Sequence, residues 1–215
     1  MKTRILFTII LLSLVSLACM VTTTGLEALQ PGSILFKDDF SDPSSGWDRM
    51  HADTYLMDYS NGLYAIFLAQ ADVEVWSNPG LHFQDVIIEV DATKAGGPDD
   101  NTFGVICRSN KDGSSFYFSV ISSDGYYAIG KVKDGEQSLL NANVMQPSNE
   151  VHQGDALNHM RADCVGDRLA LYVNEMKVAE VHDGEFIAGD VGLLAGSFDV
   201  PGVYINFENF MVLKP

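Results

Sequence analysis

From Ile34 onward the chain alternates apolar and polar positions, broken by turn residues at intervals of about 6 to 12. Phe103, Val105 and Cys107 fall on one face of a strand, and Phe116, Phe118 and Val120 on one face of the next. Ser122-Ser123-Asp124-Gly125 separates that second strand from Tyr126–Val132, and an Asp-Gly pair between β-rich runs signals a hairpin. Met160–Val165, Arg168–Val173 and Lys177–Val181 are split by Gly166-Asp167 and Asn174-Glu175, which reads as a meander. Further strands are predicted at Leu35–Phe40, Leu63–Leu68, Val73–Trp76, Val86–Thr93, Gln137–Leu140, Val191–Ala195 and Val203–Leu213. Beyond the N-terminus no long window keeps a helical period. About a dozen strands exceed a small immunoglobulin-like sandwich and suit an all-β, two-sheet antiparallel jelly roll.

The first residues follow a different rule. Lys2 and Arg4 precede an almost wholly apolar run from Ile5 to Leu17, the pattern of a secretory leader and too short to span a bilayer. Val15-Ser16-Leu17-Ala18-Cys19 resembles the lipobox of bacterial lipoproteins, with Ser16 where Leu is commonest. That resemblance implies cleavage after Ala18 and acylation of Cys19; ordinary secretory cleavage is the alternative. More than one acyl chain anchors stably where a single chain does not. The expected organisation is therefore a leader over 1–18, a tether over 19–33 and one domain over 34–215. The expected location is exported, at the cell membrane or surface.

Charge narrows the partners. Two of the 13 basic residues lie in the leader, leaving 11 against 29 acidic residues from Cys19 on, a net charge of −18. Nucleic acid and anionic lipid surfaces would repel such a chain. Cations and neutral ligands remain. Of the three cysteines, Cys19 belongs to the leader motif, which leaves Cys107 and Cys164 in an exported domain. Parity turns both toward a core face, so a disulfide between them is expected, with two free buried thiols as the alternative.

Asp38-Asp39-Phe40-Ser41-Asp42-Pro43-Ser44-Ser45-Gly46-Trp47 resembles an opening found in concanavalin A-like lectin/glucanase (laminin-G-like) jelly rolls of bacterial surface lipoproteins. The close is similar as well: Gly189-Asp190-Val191-Gly192-Leu193, then Val203-Tyr204-Ile205-Asn206-Phe207-Glu208-Asn209-Phe210. Glu208 stands where Asp is usual, and Asn174-Glu175 where Asn-Gly is usual. The resemblance covers residues 35–213 and implies a fold more than an activity, since this fold hosts lectins, hydrolases and structural modules.

Glucanases of the fold place Glu-x-Asp-x-Glu on one strand, so that alternation turns three carboxylates into a cleft. Here Glu89-Val90-Asp91-Ala92-Thr93 lacks the third carboxylate, and an enzyme of this type is disfavoured. The five histidines form no HExxH, and there is neither a G-x-S-x-G elbow nor a phosphate-binding loop. Asp38 and Asp39 in one loop and Asp99 and Asp100 in another are candidate ligands for a structural calcium, although neither spacing is that of an EF-hand. No other cofactor is expected. Glu89, Asp91, Arg108, Tyr117 and Ser119, with Tyr126 depending on register, are expected to project together from one sheet. Aromatic faces and charged groups of that kind suit a sugar. The expected function is non-catalytic binding of a glycan or surface polymer. A glycoside-acting hydrolase and a purely structural envelope component are the alternatives.

Overall fold

The computed structural model describes residues 30–215. The leader and Cys19 lie outside the described residues. Sixteen strands form two antiparallel sheets. The first sheet contains β1 (Ile34–Asp38), β2 (Met50–His51), β3 (Tyr55–Ser60), β4 (Leu63–Leu68), β6 (Val86–Gly96), β12 (Asn158–Val165), β13 (Arg168–Val173), β14 (Met176–His182) and β16 (Val203–Leu213). Its order is β14-β13-β12-β6-β16-β4-β3-β2, with β1 also on β16. The second contains β5 (Glu74–Ser77), β7 (Asn101–Ser109), β8 (Phe116–Ser122), β9 (Tyr126–Lys133), β10 (Glu136–Leu139), β11 (Gln146–Pro147) and β15 (Asp190–Ser197). Its order is β10-β9-β8-β7-β15-β5, with β11 on β9. No helix long and apolar enough to cross a membrane occurs among the described residues.

Alternation builds the first sheet as expected. Along β6, Val86, Ile88, Val90 and Ala92 are buried between the sheets, while Ile87, Glu89, Asp91 and Thr93 are half-buried on the outer face. Three strands escaped the sequence reading: the two-residue β2 and β11, and β3. β3 is half-buried at most of its positions and shows no sharp alternation, yet Asn61-Gly62, both at positive φ (54° and 79°), is the two-residue turn that joins it to β4.

The second sheet departs from simple alternation, because β7 and β8 are buried at every position. Tyr117 and Ile121 enter the core between the sheets with Phe103, Val105 and Cys107. Phe116, Phe118 and Val120 point to the outer face, where they join Ile106, Ala128, Val132 and Leu194 in a second apolar cluster under Trp76, Leu139 and Met145. A strand buried on both faces carries no period-2 contrast, so polarity could not say which side is inward.

Cys107 on β7 and Cys164 on β12 form a disulfide, their Cα atoms 6.8 Å apart and 57 residues apart in sequence. The bond ties one sheet to the other across the core.

Candidate functional site

The expected binding face does not assemble. Glu89 and Asp91 lie on the outer face of the first sheet, whereas Arg108, Tyr117 and Ser119 belong to the second. Tyr117 is buried, and its hydroxyl donates to the Asp183 carboxylate at 2.5 Å and accepts from the Phe186 amide at 3.0 Å. Ser119, paired with Val105 and Ile129, is buried in the same core-facing row. Arg108 is buried too, donating to the carbonyls of Gln84 (3.1 Å) and Phe186 (2.8 Å) and to Asp85 (3.1 Å). All three are buried within the protein rather than turned toward a ligand. Glu89 stands opposite Arg161, whose guanidinium bonds Asp163 and lies 4.9 Å from the centre of the Tyr172 ring.

Asp91 does reach a cavity. His159 Nδ1 lies 2.7 Å from one of its oxygens and Asn209 Nδ2 2.8 Å from the other. Asn209 is turned there by a left-handed backbone (φ 56°) where β16 breaks register with β6. With Lys37, Asp39 and Met211 these residues line a recess of about 450 Å³. Glu89 and Asp91 share the outer face of β6, but the next outward position, Thr93, carries no third carboxylate.

The calcium candidates are largely occupied. Asp38 accepts from the Phe40 amide (2.7 Å), Trp47 Nε1 (2.9 Å) and the Ser45 hydroxyl, closing the loop after β1. Asp39 is held by Ser41 through its amide and hydroxyl, and Asp99 pairs with Lys94 at 2.8 Å. Among the described residues no group of three or more His, Cys, Asp or Glu is arranged to hold a metal ion.

Tyr126 and Asp100 meet elsewhere, in an open groove of about 510 Å³ at one end of the second sheet. Four connections build it. The β6–β7 turn supplies Asp100, and the β8–β9 hairpin supplies Asp124, flanked by Ser122 and Tyr126. The segment before β11 supplies Val144 and Met145, and the β15–β16 turn supplies Phe198 and Asp199. Tyr126 and Phe198 are each 39% exposed. Their surroundings are fixed. Gly125 adopts φ 98°, where a side chain would be strained, and its amide closes the hairpin on the Ser122 carbonyl at 3.0 Å. Buried Asn101 bonds both the Pro98 carbonyl (2.7 Å) and Ser123 (3.1 Å), clamping two of the turns together. Ser197 Oγ donates to the Gln70 carbonyl at 2.8 Å and steadies the turn that carries Phe198.

No Lys, Arg or His lines the groove. Burial, then the nearby Asp124 and Asp199 carboxylates, raise the pKa of Asp100 above its ordinary value. The sequence marks Asp124 only as a hairpin residue and does not single out Val144, Met145, Phe198 or Asp199. The available signal was Ser197-Phe198-Asp199-Val200-Pro201-Gly202, a turn-rich stretch with apolar side chains that no strand pattern absorbs.

The two sheets define a concanavalin A-like jelly roll, the architecture of lectin and glucanase domains. A carbohydrate binding module, CBM66, from Bacillus subtilis superposes with a TM-score of 0.64 at 18% identity, covering 79% of this chain and 96% of that one. A Bacillus subtilis protein of unknown function with a galectin-like fold gives 0.63 at 11% identity, covering 86% and 97%. The catalytic domain of an endo-1,3-beta-glucanase (laminarinase) from Thermotoga petrophila gives 0.59 at 9% identity, covering 86% and 99%. No family model and no curated sequence matches the chain.

Proposed function

We propose that this chain is an exported, lipid-anchored module that binds a glycan or surface polymer without cleaving it, through the groove holding Tyr126 and Phe198. The observation that carries the reading is two exposed aromatic side chains in one preformed recess lined by carboxylates. Aromatic faces cover the apolar faces of sugar rings, and carboxylates accept their hydroxyl groups. Turns clamped before the ligand arrives reduce the ordering cost of binding. A carbohydrate binding module among the proteins of this fold supports the same reading. The incomplete carboxylate pattern at Glu89, Asp91 and Thr93 weighs against a hydrolase.

A glycan array with the mature domain is the direct test. Tyr126→Ala and Phe198→Ala should each weaken binding of any hit by roughly 1–3 kcal/mol. Melting temperature should barely move, because both side chains are exposed. Full retention of binding by both variants would remove the groove from the account, and hydrolysis of the bound glycan would replace binding by catalysis.

A further inference from the structure

The geometry points to a cationic amino-sugar chain, a polymer with free amines on its rings, as the occupant of the Tyr126–Phe198 groove. This rests on the glycan-binding reading and names the class of glycan. The argument is charge complementarity joined to ring stacking. Every ionisable group lining the groove other than the Tyr126 phenol is a carboxylate: Asp100 from the β6–β7 turn, Asp124 from the β8–β9 hairpin and Asp199 from the β15–β16 turn. The segment before β11 contributes only Val144 and Met145. Lys94, a basic residue beside the first of these turns, is already spent on Asp99 and Asp155, each at 2.8 Å.

A neutral sugar would leave those carboxylates mutually repelling and uncompensated. An anionic polymer would add to the repulsion, both locally and against the net charge of −16. A ring carrying an ammonium group relieves it, and the same group is attracted to the faces of Tyr126 and Phe198. The exposed aromatics therefore call for a flat, partly apolar ring, and the carboxylates for positive charge upon it. An amino sugar has both in one residue.

The test is calorimetric titration of the mature domain with a β-1,4-linked glucosamine tetramer in mildly acidic, low-salt buffer. The comparison ligands are the N-acetylated tetramer, which has the same ring and no charge, and tetralysine, which has charge and no ring. The glucosamine tetramer should bind at least about tenfold tighter than either. Its affinity should fall as salt is added, since part of the attraction is between charges in partly exposed positions. It should also fall as pH drops through the carboxylate range, and the raised Asp100 places the start of that loss above the ordinary carboxylate value. Asp199→Asn and Asp100→Asn should each reduce binding of the glucosamine tetramer at least about threefold, and by a larger factor than they change binding of the N-acetylated tetramer. Equal or tighter binding of the N-acetylated form would overturn the inference while keeping the glycan-binding reading. Equal binding of tetralysine would reduce the groove to a general cation patch. Binding of neutral array glycans with none of the glucosamine tetramer overturns this inference alone, and no binding of any glycan overturns both.

Discussion

Tyr117 and Tyr126 share a residue type and a neighbourhood in sequence, yet their environments assign them opposite roles. Tyr126 opens β9 in the lining of the groove and is partly exposed. Tyr117 has its ring against Phe186 in the core, and burial, then the Asp183 hydrogen bond, push its phenol up to about 12. Glu74 shows the cost of burial without such a partner. Its Oε2 lies 3.5 Å from where a Cβ on Gly196 would stand, and burial alone pushes the carboxyl up to about 7. A folded-state value above the unfolded one means that the native state holds the proton more tightly. Stability from this group is then full below the unfolded value of about 4.5, declines as pH rises, and is lost above about 7. Glu74→Gln should therefore be near neutral at about pH 4 and more stable than the parent by about 2 kcal/mol at about pH 8, allowing for partial exposure of the side chain. Urea unfolding at both pH values checks this, and an equal difference at the two would show that the carboxyl titrates normally.

At the scale of elements, what could be read from sequence depended on contrast between the two faces of a strand. β6 and β16 border solvent on one side, and alternation gave the start of β6 and both ends of β16, although β6 runs on past Thr93 to Gly96. β8 borders apolar material on both sides, and the reading placed Tyr117 and Ser119 outward when both point to the core. The groove was harder still, because its residues come from four turns far apart in sequence and no strand periodicity links them. The cysteine pair was legible for the opposite reason: two core-facing cysteines in a domain expected to be exported have few other uses. Their bridge spans 57 residues and joins β7 to β12, so it restricts the unfolded chain across both sheets. The chain-entropy relation assigns a loop of that length roughly 4 kcal/mol. A Cys107→Ser, Cys164→Ser double variant should lose stability on that scale, read as a lower denaturant midpoint with a larger m-value, because the unfolded chain without the cross-link is more expanded. A midpoint equal to that of the oxidised parent would mean that the packed core alone fixes the two sheets.

At the scale of the whole molecule, β16 sets the direction in which the groove faces. The end of the tether closes against the end of this strand: the Gly32 amide donates to the Lys214 carbonyl at 2.8 Å, and the Lys214 amide donates to Ser33 at 2.9 Å. The groove residues Phe198 and Asp199 precede the start of the same strand, which runs from Val203 to Leu213. Eleven extended residues separate the two ends by on the order of 35 Å. A domain tethered through Cys19 would thus hold its groove away from the bilayer and toward whatever polymer lies outside. The net charge of −18 from Cys19 on gives the chain no affinity of its own for an anionic membrane, so the proposed acyl chains would carry the whole attachment. Cys19→Ala should shift the expressed protein from the detergent phase to the aqueous phase, or leave it with an uncleaved leader. The purified variant domain should bind its glycan as tightly as the parent, because Gly32 and Ser33 join the domain at the other end of β16 from the groove. Parent protein that partitions into water would sink the anchor. A variant domain with impaired binding would mean that the tether reaches the groove after all, and that β16 does not separate the two ends as its length implies.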